Sequence, residues 1–147
     1  MAQMLIGEIL RTISLKKTKK EKIDFLQQER IRTPAFAAYL RHVFDPQLRF
    51  LLPPGEMEYT PMLNASDTVG RGAFFQHLKR LYIFIEGGHD LITQEQRVKL
   101  WVNLLESIDP IDAEAAQSMK DKKLPYGIPR KLIEDAYPGF LPAAKEG

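Results

Sequence analysis

Residues 93–120 read TQEQRVKLWVNLLESIDPIDAEAAQSMK, and they predict two consecutive helices. Thr93 is a good N-cap residue with Gln96 three positions later, the spacing of a reciprocal capping box. Val98, Trp101, Val102, Leu104 and Leu105 then recur at helical intervals and form one apolar face. Asp109 caps a second helix with Pro110 at its first position, where a missing N–H removes nothing. Ile111, Ala115, Ala116 and Met119 point inward from that helix.

The same punctuation recurs towards the N-terminus. Leu5, Ile6, Ile9, Leu10 and Ile13 repeat at helical spacing, and residues 14–17 break the pattern. Thr18 caps the next helix with Glu21 as its partner, and Ile23, Phe25 and Leu26 face inward. Thr33 and Pro34 open a helix carrying Phe36, Tyr39, Leu40 and Val43, and Asp45 caps a short turn that holds Leu48, Phe50 and Leu51. A further amphipathic helix is expected over Phe74, Phe75, Leu78, Leu81, Tyr82 and Ile85, ended by Gly87 and Gly88. Residues 52–71, with Pro53, Pro54, Gly55, Pro61 and Gly70, have no such period and read as a long loop. No segment alternates as a strand does. The expectation is an all-α fold, a compact bundle of six to eight short helices forming a single domain over 1–147.

A chain of 147 residues with 44% hydrophobic content can bury a real core. It has no cysteine, which excludes disulfides, thiol nucleophiles and thiolate-ligated metals and suits a reducing compartment. The first residues lack a signal-peptide pattern, since Glu8 interrupts LIGEIL, and the apolar run LYIFI at 81–85 is far too short to span a bilayer. The expected location is the cytoplasm, the host cytoplasm for a viral protein, with no membrane association. Net charge is +2, but its distribution is uneven. Residues 1–32 hold eight Lys or Arg against four Asp or Glu, largely in SLKKTKKEK, whereas residues 102–147 hold six against eight. Such a basic run suits nucleic acid or an acidic protein, and it equally suits a solvated connection between helices.

Catalytic signatures are absent. His42, His77 and His89 lack metal-site spacing, the glycines at 70, 72, 87 and 88 lack the strand and lysine of a phosphate loop, and no nucleophile elbow occurs. Asp109 and Asp112 sit in a helix first turn, where they complement the dipole. No cofactor, metal or catalytic residue is expected.

Residues 120–142, KDKKLPYGIPRKLIEDAYPGFLP, carry the clearest binding signal. Gly127 permits a backbone angle closed to other residues, and Pro129 opens a helix with Leu132, Ile133 and Ala136 inward. The free N–H groups of that helix start, flanked by Lys122, Lys123, Arg130 and Lys131, form a candidate phosphate seat. Tyr126 lies beside it and suits packing on a sugar or base. The same residues also suit a basic helix cap on a solvated surface. Lys16, Lys17, Lys19 and Lys20 join the candidate site if the two basic clusters share a face.

These segments resemble the N-terminal all-helical DNA-binding domain of ATP-dependent DNA ligases from large tailed bacteriophages. The resemblance rests on the opening MLIGEILRTISLKKTKKEKIDFLQQ, on PQLRFLLPPG at 46–55, and most specifically on Lys123-Leu124, Gly127, the 129–136 helix and Tyr137-Pro138-Gly139-Phe140-Leu141-Pro142. It implies a domain that grips duplex DNA through the minor groove and backbone, with the N–H groups and side chains at Gly127, Arg130 and Lys131 approaching phosphates. Two departures are evident. Ile128 and Pro129 stand where that family has small residues, which removes one N–H donor, and the ligase adenylation motif Lys-x-Asp-Gly is absent. The expected function is a stand-alone, non-catalytic domain that binds duplex or nicked double-stranded DNA with little sequence preference. The alternative is a protein-interaction module that binds a replication or host protein and has lost DNA affinity.

Overall fold

The computed structural model describes residues 4–61 and 73–141. Among them are seven α-helices: α1 (Ile6–Leu15), α2 (Lys19–Leu26), α3 (Pro34–Phe44), α4 (Ala73–His77), α5 (Gln94–Ser107), α6 (Pro110–Lys120) and α7 (Arg130–Ala136). Two 3-10 segments, Leu78–Phe84 and Pro125–Gly127, complete the regular structure. The described residues hold no strand, only an isolated antiparallel bridge between Phe50 and Ile85. The all-α bundle expected from the sequence is the fold.

Local capping explains where the helices begin. The backbone N–H of Glu21 donates to Thr18, that of Phe36 to Thr33 and that of Ile111 to Asp109. Thr93 and Gln96 form the full reciprocal box, with Gln96 N–H on Thr93 Oγ1 and Thr93 N–H on Gln96 Oε1. Each such bond satisfies an orphan donor and contributes about 1 kcal/mol. The α2 start departs slightly: Glu21 reaches one residue further back, to the N–H of Lys17. The Pro129 expectation is corrected too, because Pro129 is the non-helical residue flanking α7 rather than its first turn.

Helix α6 is the hub, packing on α1, α3 and α5. Small residues make this possible. Ala113, Ala115 and Ala116 are fully buried, and Tyr39 of α3 donates its hydroxyl to the Ala115 carbonyl. Gly7 of α1 lies so close to α6 that a Cβ there would sit 2.3 Å from the Ile111 carbonyl oxygen. Its N–H donates to the buried Asp112 carboxylate at 2.7 Å. Asp112 is structural, as expected, but it caps the neighbouring helix rather than simply its own dipole.

The helix expected over 74–85 is corrected in pitch. After α4 the chain tightens into a 3-10 helix, which has three residues per turn. Leu78, Leu81 and Phe84 therefore share the buried face, and Tyr82 is 53% exposed. The side chain of Phe75 lies outside the described set. In the expected loop, residues 52–61 lack regular structure, and 62–71 fall outside the described residues.

Three buried or half-buried cations hold irregular backbone in place. Arg97 donates to the carbonyls of Ile83 and His89. Lys120, buried within α6, donates to the carbonyls of Pro53 and Gly55 and to Asp121. Lys122 donates to the carbonyls of His42, Asp45 and Leu48, at 2.6, 2.9 and 2.7 Å. Such charge-assisted bonds replace the hydration that burial removes. Among the described residues no helix is long and apolar enough to cross a membrane.

Candidate nucleic-acid interface

The basic run 16–20 occupies the break between α1 and α2 and the first turn of α2. Helix α2 packs against α7, and one residue of each basic cluster, Lys19 and Lys131, meets the other's neighbourhood there. The closest link is a shared carboxylate. Lys19 Nζ lies 2.6 Å from Asp135 Oδ2, and Lys131 Nζ lies 3.2 Å from Asp135 Oδ1. The hydrogen bond from Lys19, with that from Lys131, holds the Asp135 carboxyl below its ordinary range. At the helix ends, Gln27 donates to the Ala136 carbonyl and Tyr137 donates its hydroxyl to the Leu26 carbonyl. These bonds fix the register of α2 on α7.

The other basic residues of these segments are differently engaged. Lys17 is exposed. Lys20 is paired with Asp24 at 2.8 Å across one turn. Lys16 lies over the Phe25 ring, and Arg30 lies over the same ring. Arg130 is three-quarters covered, bonded to Glu134 at 2.7 Å and stacked over Phe44. The exposed Lys20–Asp24 pair contributes little, since such pairs have a median of about 0–1 kcal/mol.

The 120–127 turn does not join this face as expected. Lys122 was expected to be an exposed phosphate ligand, and that expectation is corrected. It is the left-handed residue just past the α6 terminus, with φ 61°. Its N–H donates to Met119 O, and the Lys123 N–H donates to Ser118 O. That is the Schellman closure of a helix, usually made by glycine. The backbone turn sends the Lys122 side chain inward onto three carbonyls and over the Phe50 ring. Burial lowers the Lys122 pKa to about 8.

Tyr126 is likewise left-handed, with φ 62°, and Gly127 follows at φ 70°. The expected glycine conformation is present. The Tyr126 hydroxyl, however, donates to Glu114. Its burial and that hydrogen bond push the phenol up to about 12. Tyr126, Gly127 and the exposed Lys123 line a cleft of about 420 Å³ together with Glu56, Glu114 and Asp121. A second cleft of about 1020 Å³ is walled by Glu56, Glu58, Glu106 and Glu114. This surface repels a polyanion.

Of the expected site residues the structure brings Lys19 and Lys131 together on Asp135, leaves Lys16, Lys17 and Lys20 around the start of α2, and turns Arg130 towards Phe44 of α3. It withdraws Lys122 and leaves Lys123, Tyr126 and Gly127 beside acids. The histidines are dispersed: His42 Nδ1 bonds the Ala38 carbonyl, and the His89 ring packs edge-on against Tyr82. Among the described residues no group of three His, Cys, Asp or Glu is placed to hold a metal. The buried lysines and Arg97 were missed by sequence reasoning, because their carbonyl partners lie in distant segments of the chain.

No curated protein and no solved structure matches this chain. A family model does match, over residues 9–126, a span that includes the 16–20 run and the α6 hub and stops before α7. The chain belongs to a family of unknown function, DUF6433.

Proposed function

We propose that this protein is a non-catalytic binder of duplex DNA that engages the sugar-phosphate backbone through the α2–α7 face. The observation that carries the reading is the convergence of Lys19 and Lys131 on one carboxylate, which makes a single surface of two basic segments far apart in the chain. Backbone neutralisation carries no base information, so the binding has little sequence preference. The resemblance of residues 120–142 to phage-type ligase DNA-binding domains supports the same reading, while Lys122 and Tyr126 leave the contact set. The glutamate-walled clefts support one orientation, in which the duplex meets α2 and α7 and avoids the 56–61 side.

Acids interleaved with the lysines, namely Asp24, Glu134 and Asp135, keep the affinity low. Three or four displaceable lysines give a log–log salt slope of about −3 to −4 on duplex DNA. A salt titration of binding to nicked and intact duplex tests this. Absence of any shift with micromolar protein at low salt refutes it. The alternative, a module that binds a replication or host protein, draws support from the same interleaved acids, which suit a protein surface of mixed charge better than a polyanion.

A further inference from the structure

An open groove of about 620 Å³ lies between the start of α3 and the segment that follows α7. Its apolar lining comes from Phe36, Ala37 and Leu40 on one side and from Tyr137, Pro138 and Phe140 on the other. Gln27, Arg32 and Thr33 are its polar lining residues beside the Tyr137 phenol, and no Asp or Glu lines it. The Tyr137 and Phe140 rings meet edge to face at 6.0 Å, and the exposed Arg41 guanidinium lies 5.5 Å over the Phe140 ring. The groove is therefore aromatic and rimmed by two arginines.

Arg32 decides what can enter. It is exposed at the groove mouth, and its side chain makes no hydrogen bond or ion pair among the described residues. Among the described residues, most other cations are engaged with acids, rings or carbonyls. The Gln27 amide, also in the lining, donates one N–H to the Ala136 carbonyl. One carboxylate-seeking cation beside an apolar slot is the complement of an acidic peptide with an aromatic or aliphatic side chain. The volume falls in the range of side-chain and small-ligand pockets.

We propose that this groove docks an acidic peptide segment of a partner protein, with an apolar anchor between Ala37 and Phe140 and a carboxylate on Arg32. The inference stands apart from the DNA reading, because it uses none of Lys17, Lys19, Lys20 or Lys131. The test is fluorescence polarisation with a short labelled peptide of aspartates and glutamates around a central Phe-Leu pair. Saturable binding is expected, weakened about tenfold when the Phe-Leu pair becomes Gly-Gly and lost when the acids become lysines. Arg32→Glu, an exposed change that leaves packing alone, is expected to weaken binding about tenfold, and Ala37→Trp, which fills the slot, to do the same. Circular dichroism establishes that both variants are folded. The proposal is overturned if the acidic peptide does not bind, if the Gly-Gly version binds equally, or if Arg32→Glu has no effect. Displacement of the peptide by duplex DNA also overturns it, since the groove would then belong to a nucleic-acid surface.

Discussion

Replacing Gly7 by alanine sets two effects of opposite sign against each other. In an isolated helix the change is favourable by about 1 kcal/mol, because alanine loses less backbone entropy than glycine. Here the new Cβ would sit 2.3 Å from the Ile111 carbonyl oxygen and 2.6 Å from its carbon. Both are backbone atoms of α6, so no side chain can swing away. Helices α1 and α6 must part by about 1 Å, and a gap of that size forfeits a quarter to a half of each dispersion contact across it. Ile6, Ile9, Leu10 and Ile13 all pack from α1 into the core. The same movement stretches the 2.7 Å bond from the Gly7 N–H to the Asp112 carboxylate. Overpacking of this kind typically costs about 1–3 kcal/mol, and weakening a bond to a buried charge adds about 1–3 kcal/mol. After the propensity gain, the net loss is about 1–5 kcal/mol. For a domain of this size that lowers Tm by roughly 3–20 °C. Urea unfolding followed by far-UV circular dichroism measures the loss directly, read as a lower midpoint at unchanged slope. A Gly7→Ala protein as stable as the parent, or more stable, refutes the close-crossing argument.

Three other outcomes follow from the geometry. Lys122→Met removes the cation from three carbonyls and is expected to destabilise by about 2–4 kcal/mol, while Lys122→Gly, which relaxes the left-handed turn, is expected to cost less; equilibrium unfolding ranks the two. His42 has its pKa lowered chiefly by burial, so below pH 6.5 the unfolded chain takes up a proton that the native state resists. Stability should therefore fall with pH from about 6.5 downwards, and His42→Gln should flatten that part of the profile in pH-dependent thermal melts. Reversing charge at Lys17, Lys19 and Lys131 should abolish the DNA shift, whereas Lys123→Glu, beside Glu56 and Asp121, should leave it nearly intact; equal losses in both variants would place the contact elsewhere.

Helix starts were legible in the sequence because the bonds that make them are local. Thr33 reaches three residues to Phe36, and Asp109 reaches two to Ile111. The 78–84 segment was misread because its apolar residues fit two periods. Leu81 and Leu78 suit either, and only the choice between Tyr82 and Phe84 separates a pitch of 3.6 from one of three. For the site, the sequence posed the condition that the two basic runs share a face free of acids, and the packing of α2 on α7 meets it only in part, bringing Lys19 to Lys131 with Asp135 between them. The acids between them, Asp24, Glu134 and Asp135, were visible as letters but not as partners. Lys122 was beyond sequence reasoning. A lysine two residues past a helix looks solvated, and only the fold brings the carbonyls of residues 42, 45 and 48 to its ammonium.

The carbonyl cages of Lys120 and Lys122 also divide the lysines into two chemical populations. An acylating reagent needs a free amine lone pair and room to approach it. Lys122 has a pKa of about 8, so at mildly alkaline pH it carries more neutral amine than an exposed lysine does. Basicity alone would make it the first to react. Enclosure by the backbone of residues 42–48 should instead make it, with Lys120, among the last, well behind Lys17, Lys20 and Lys123. Labelling of these two side chains thus times the opening of the 45–55 strap, and labelling of the others reports only what covers the surface.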